Sequence, residues 1–410
     1  ARCACFLVLF AEAKRINPSS LAGSSEVLQT SNPLAAMEVR TIQLDPFSGI
    51  FEKSKIPEKV LEISAYLLYN NRRSNSIQKI RKEVIPMKVG LVTVPLYDRS
   101  LEDMLAYVKG LGVEAVEIGT GGFPGQGHCN REELLADKSK LKAFKDLFKK
   151  YDIEISALST HGNAVHPDKE VAAKFHEDFE RTCVLANELE IPMVITFSGC
   201  PGGSPEDKTP NWVTCPWPED FLHILDYQWN DVLIPYWQKE SEYAAKYGVN
   251  KIAFEMHPGF CVYNPETLMK LRNAVGPCLG ANFDPSHLIW QGIDPVEAIR
   301  YIGENGAMFH FHAKDTCVNR RNTEINGVLD TKHYSDEIHR SWVFRALGYG
   351  TDEKKWKDMI SMLQLTGYNH VMSIEHEDSF MSSKEGLEKA IAFLRRIIIS
   401  EPKPGGMFWA

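Results

Sequence analysis

Beyond residue 86 the chain alternates short apolar, β-rich runs with longer stretches whose apolar positions recur every three to four residues. The short runs fall at 88–94, 115–119, 154–159, 193–198, 251–255, 279–284, 308–313 and 371–375 and predict eight strands. The helical periodicity covers 101–111, 131–150, 171–189, 218–246, 265–274, 295–304, 355–365 and 384–399. Strands that alternate with helices build parallel sheets. Eight strand–helix units predict an α/β fold of the (β/α)8 TIM-barrel type, in preference to an open doubly wound sheet. No GxGxxG or GxxxxGK[ST] follows any of the runs, so neither a dinucleotide site nor a P-loop is expected. Two strand–helix connections are long, 199–217 and 314–350, and long loops on the C-terminal face of a barrel shape access to its mouth.

The first 86 residues break this pattern. They hold none of the 13 His and none of the 8 Trp, and carry 12 Lys and Arg against 8 Asp and Glu. The chain is therefore expected to divide into an N-terminal extension over 1–86, partly disordered or helical, a barrel over 87–400 and a C-terminal tail over 401–410. Residues 17–35 are rich in Ser, Asn and Pro and read as a linker. Residues 57–83 suit one basic amphipathic helix on the outside of the barrel. The apolar residues 5–11 have the h-region look of a truncated signal peptide, although a fragment or an unauthentic upstream extension accounts for them better.

Composition narrows the function classes. The 410 residues are 44% hydrophobic and 24% charged, ordinary for a globular protein and unlike a disordered one. No apolar run reaches the roughly 18–20 residues of a membrane span. A net charge of −8 argues against a broad nucleic-acid surface. Nine scattered cysteines without a CxxC pair read as reduced thiols, so a cytoplasmic location is expected.

Polar residues stand where a barrel core should be apolar. Alternate strand residues point to the barrel axis and are normally Val, Ile or Leu. Four of the runs end otherwise. Ala253, Glu255 and His257 share one face, as do Asn282 and Asp284, His310, His312 and Lys314, and finally Ser373, Glu375 and Glu377. Carboxylates converging on one axis cannot all stay ionised without a compensating cation. Glu255, Asp284, one histidine and Glu375 make an oxygen-rich set with a single imidazole. That set suits Mn²⁺, Mg²⁺ or Co²⁺, with Zn²⁺ as an alternative. His310 and His312 lie about 6.6 Å apart along one strand. His312, nearer the mouth, is the better placed ligand, and His310 lies one layer deeper as hydrogen-bonded support.

These motifs resemble the xylose isomerase-like TIM-barrel superfamily and, within it, the sugar phosphate isomerase/epimerase group. The resemblance rests on Phe254-Glu255-Met256-His257-Pro258-Gly259, Asn282-Phe283-Asp284-Pro285-Ser286-His287, His310-Phe311-His312-Ala313-Lys314-Asp315 and Ser373-Ile374-Glu375-His376-Glu377-Asp378. It covers about 87–400 and takes in Glu117 and the run Leu158 to Asn163. It implies that Glu255, Asp284, His312 and Glu375 bind one divalent metal ion, Mn²⁺ first, and that Glu255 and Glu375 also form the acid/base pair. It places His287 beside metal and substrate. His257 and Lys314 are the expected tuning groups, and Glu117, His161 and Asn163 the expected hydroxyl-binding groups. The implied function is isomerisation or epimerisation of a sugar through proton abstraction next to a carbonyl and a metal-stabilised enediolate, in carbohydrate metabolism. A small-molecule sugar or keto-sugar is the expected partner, with no nucleic acid and no membrane, and the chain is a candidate homo-oligomer. One departure is the stretch Thr316 to Arg321, which does not align with the Arg that ketose epimerases carry there. With no clear phosphate cradle, this favours an unphosphorylated sugar, inositol or keto-glycoside.

Three rivals use the same residues differently. A lyase or dehydratase would share the first proton transfer and then expel water or a β-substituent. An abasic-site endonuclease would share the barrel and the spacing of Asp284 and His287, but it needs further ligands, typically an Asp-x-His pair that 314–350 lacks. A non-catalytic sugar-binding barrel would have no use for two opposed glutamates on a metal.

Overall fold

The structure is a computed structural model that describes residues 86–401. All but the last residue of the expected N-terminal extension, including its helix over 57–83, and all but the first residue of the C-terminal tail lie outside the described residues.

Strand β1 (Lys88–Val92) and helix α1 (Leu101–Gly110) open the chain, followed by β2 (Ala115–Gly119). Two helices come next, α2 (Arg131–Ala136) and α3 (Lys138–Tyr151), then β3 (Glu154–Ser159), α4 (Lys169–Leu189) and β4 (Met193–Thr196). Helix α5 (Asp220–Asp226) runs through a π-helical segment (Tyr227–Leu233) into α6 (Ile234–Lys246), and β5 (Lys251–Glu255) and α7 (Pro265–Val275) follow. After β6 (Leu279–Phe283) a short helix α8 (Pro285–Ile289) precedes α9 (Pro295–Glu304) and β7 (Met308–Ala313). An excursion then holds β8 (Asp315–Val318), α10 (Arg320–Asn326) and β9 (Trp342–Arg345). Helix α11 (Glu353–Leu365), β10 (Val371–Ile374) and α12 (Ser383–Ile397) complete the described chain.

Eight strands pair in parallel and close in the order β1-β10-β7-β6-β5-β4-β3-β2, the predicted TIM barrel. Helix starts are set by polar caps. Asp168 accepts from the backbone N–H of Glu170 and Val171, and Asp352 from that of Lys355, so α4 and α11 begin two residues before the apolar periodicity does. The helix expected over 131–150 is two helices. Asp137 ends the first in an extended conformation and accepts from Ser139 N–H to start the second, while the apolar rhythm runs on across the break. The connection 314–350 is a structured insertion in which β8 and β9 form an antiparallel hairpin.

Two register shifts bear on the interior. Glu117 of β2 pairs with Ala157 and leaves Ser156 of β3 as an extra residue. Asn282 of β6 pairs with His310 and leaves Phe309 of β7 extra. Such bulges re-aim side chains. Phe309 joins Ala157, Met193, Ile195 and Ala253 in a small apolar cluster. His310 is tied to Asn282 Oδ1 at 2.9 Å and Ser156 Oγ at 3.3 Å. Both shifts therefore place polar groups directly beneath the mouth.

Candidate metal centre

The C-terminal ends of β5, β6, β7 and β10 deliver Glu255, Asp284, His312 and Glu375, and one donor atom from each lies within 4.8 Å of the others. Asp284 is fixed by its position as N-cap of α8. Its Oδ1 accepts from Ser286 N–H at 2.8 Å, which leaves Oδ2 turned into the site. His312 is fixed from behind. Its Nε2 lies 2.7 Å from Glu117 Oε2, so its Nδ1 faces Glu375 Oε2 at 3.0 Å and Glu255 Oε2 at 3.3 Å. A carboxylate behind a histidine, holding its tautomer and raising its basicity, is the usual support of an imidazole metal ligand.

The chemistry of this donor set fits a divalent ion. Asp284 Oδ2, His312 Nδ1 and Glu375 Oε2 are all buried and have no hydrogen-bond partner. Leaving three such atoms unpaired at one point is unfavourable unless a cation completes them.

Charge in the site is offset in part by imidazoles and one lysine. Burial opposes ionisation of Glu255, but hydrogen bonds from His161 at 3.0 Å and His287 at 3.1 Å, with the His312 ring beside them, hold its carboxyl well below the usual range. Glu375 is also penalised by burial, yet the charges of Lys314 and His312 bring it down to about 2. Asp284 goes the other way: burial pushes it up to about 6 despite His287 and Lys314. Lys314 is buried with Nζ 2.8 Å from Glu377, 3.5 Å from Glu375 and 3.7 Å from Asp284. Burial disfavours its charge, and those carboxylates hold it well above its ordinary value.

His257 is pushed down to about 3 by burial and by the neighbouring His287, so it is a neutral imidazole, with Nδ1 2.6 Å from the Pro258 carbonyl. Glu117, His161, Glu255, His257, His312, Lys314 and Glu375 all line one cavity of about 660 Å³. Asn163 does not. Its amide donates to the Cys200 carbonyl at 2.8 Å and accepts from Cys200 N–H at 3.0 Å, joining two loops with both its polar atoms. Glu117 reaches the cavity, but its Oε2 is taken by His312, so its first task is to hold the ring.

Sequence reasoning missed the aromatic wall. Phe123, Phe197, Tyr334 and Phe344 line the same cavity. Phe344 of β9 lies under the Lys314 ammonium at 4.4 Å, edge-on to His287 and stacked with Tyr334. The alternation Trp342-Val343-Phe344-Arg345 between Ser341 and Gly348 was the available signal for that strand.

A closed parallel (β/α)8 barrel with a carboxylate–histidine cluster at its C-terminal mouth defines the class of molecule. The xylose isomerase-like TIM barrel family matches residues 105–397, and the chain belongs to that family. It is 41% identical over 315 residues to YfiH of Bacillus subtilis (strain 168), an uncharacterized protein, with 76% of this chain and 99% of that one covered. Among solved structures it is similar to AsbF, a probable 3-DHS dehydratase of Bacillus anthracis, at 17% identity and a TM-score of 0.53, covering 75% and 99% of the two chains. It is also similar to the IolI protein, solved with a zinc atom, at 19% identity and a TM-score of 0.53, covering 76% and 98%. These two likenesses concern the fold. Among the described residues no helix is long and apolar enough to cross a membrane.

Proposed function

We propose that this chain is a divalent-metal-dependent enzyme of the sugar isomerase and epimerase type, acting on a carbon next to a carbonyl. The observation that carries this reading is the set of three unpartnered, buried donor atoms on Asp284, His312 and Glu375, focused on one point beside Glu255. A divalent ion held by these four residues would neutralise the charge that develops on the substrate's carbonyl oxygen as the adjacent C–H ionises. Mn²⁺ is the first candidate from the oxygen-rich donor set, and the zinc atom of the IolI structure keeps Zn²⁺ beside it.

The acid/base work falls to the chain's own carboxylates. Glu255 and Glu375 reach the cavity from β5 and β10, which are separated in the barrel by β6 and β7. One takes the proton from the carbon; the other returns to the opposite side a proton that it has first taken up from a substrate hydroxyl or from solvent, which inverts the centre. Three histidines orient Glu255, and Lys314 orients Glu375 while supplying positive charge to the mouth. The aromatic wall and residues of the structured insertion line the cavity around the reacting carbon. The cavity is roomy enough for a sugar carrying a further substituent, consistent with a keto-glycoside, an inosose or another unphosphorylated sugar.

The test is proton exchange followed by NMR. Metal-loaded protein is incubated in D₂O with ketoses, inososes and 3-keto-glucosides. Deuterium is expected at the carbon next to the carbonyl, with Glu255→Gln and Glu375→Gln each slowing uptake by about 10²–10⁴-fold. An epimerised product supports the reading, whereas loss of water assigns the same site to a lyase. Absence of exchange on every substrate, with the metal bound, overturns it.

A further inference from the structure

A second group of ligating side chains lies in the helical layer. His176 and Glu180 stand one turn apart on α4, and Glu240 projects from α6. One donor atom from each lies within 4.8 Å of the others, and none of the three lines the barrel cavity. His176 Nε2 is 3.6 Å from Glu180 Oε1, and His176 Nδ1 is 3.7 Å from Glu240 Oε1. The two distances run from different ring nitrogens, and an imidazole binds an ion through one of them; one donor atom from each residue lies within 4.8 Å of the others, against about 3.4 Å for ligands arranged tetrahedrally at bond lengths near 2.1 Å, so side-chain movement closes the set around an ion.

The independent observation is the state of Glu240. Its side chain has no exposure to solvent, and both carboxylate oxygens lack a hydrogen-bond partner. Lys239 Nζ is 3.9 Å away on a mostly exposed side chain and makes no hydrogen bond to it. A buried carboxylate with neither oxygen paired is unfavourable unless a proton or a cation completes it. His176 and Glu180 are each about one-third exposed, so the buried carboxylate forms the floor of a site open to solvent. Tyr236, one turn before Glu240, places its hydroxyl 3.2 Å from His176 Nδ1 and holds the ring.

We propose that His176, Glu180 and Glu240 form a second divalent-cation site, suited to Zn²⁺, that ties α4 to α6 away from the barrel mouth. One imidazole and two carboxylates, with water in the fourth position, make a borderline-soft N/O set of the kind Zn²⁺ accepts. Its role is structural. α4 precedes β4 and α6 precedes β5, so the ion joins the helices that flank β4 in sequence.

The test is metal stoichiometry. The chain is stripped with a chelator, equilibrated with Zn²⁺, desalted and analysed by inductively coupled plasma mass spectrometry. His176→Gln and Glu240→Gln are each expected to bind one zinc fewer per chain than the parent, and Asp284→Asn is expected to keep the ion that they lose. His176→Gln alters a partly exposed side chain, so it keeps the test valid should the buried Glu240 variant fold poorly. Zn²⁺ should also raise the melting temperature of Asp284→Asn but not of Asp284→Asn/His176→Gln. A His176→Gln protein that retains the parent's full zinc content overturns the proposal.

Discussion

At the scale of single residues, the site is organised by what stands behind each proposed ligand. Asp284 has one oxygen committed to capping α8, and His312 has one nitrogen committed to Glu117. Each therefore presents its remaining atom in a fixed direction. Support of this kind typically governs metal affinity by 10- to 100-fold. Glu117→Gln keeps the side-chain volume but removes the charge that favours the required tautomer. Its divalent-ion affinity, measured by chelator competition, should fall by about that factor with the circular dichroism spectrum unchanged; unaltered affinity would refute the role. The four proposed ligands were legible in the sequence because polar residues at the ends of four strands contradict the apolar rule for a barrel core. The Glu117–His312 contact was not. It joins β2 to β7 across the barrel, and no local spacing connects positions 195 residues apart.

At the scale of elements, the strands were the most legible part, since 115–119, 154–159, 251–255 and 308–313 coincide with the observed strands. Strand ends elsewhere slipped by one or two residues, where a polar residue such as Asp284 caps a helix instead of continuing the strand. Helical rhythm could not reveal the break at Asp137 or the π-helical turn over Tyr227–Leu233, because apolar spacing survives both. The insertion was the largest omission. Its charged middle hid a fold maintained by polar contacts: Asp330 accepts from Ser341 N–H at 2.6 Å and Lys332 N–H at 2.9 Å.

Those bonds hold the Asp330 carboxyl at about 2 despite the opposing effect of burial. A folded value below the unfolded one of about 3.9 means that the stabilisation is fully present above pH 4 and is lost as the pH falls through 2. At neutral pH, Asp330→Ala should loosen the insertion and speed limited proteolysis within 320–341 several-fold, while the barrel keeps its melting temperature. Unchanged cleavage would show that the hairpin and the stacked Trp290–Trp342 pair hold the insertion without Asp330.

At the scale of the whole molecule, the barrel joins an apolar wall to a mouth crowded with buried charge. Glu117, Glu255, Asp284 and Glu375 meet His161, His287, His312 and Lys314 in one small volume. Histidines and a lysine offset that negative charge only in part, which is why three donor atoms stay unpaired. An ion that binds there binds the folded chain and not the unfolded one, so it must stabilise the fold. At a concentration 100 times its dissociation constant the gain is about 2.7 kcal/mol, or roughly 5 °C in melting temperature for a domain of this size. Mn²⁺ should produce that rise in a His176→Gln background, which removes any contribution from the helical layer. EDTA should reverse it, and Asp284→Asn in the same background should abolish it. An equal rise with and without Asp284 would mean that the ion is held elsewhere, and the mouth would then have to function on its own imidazoles and lysine.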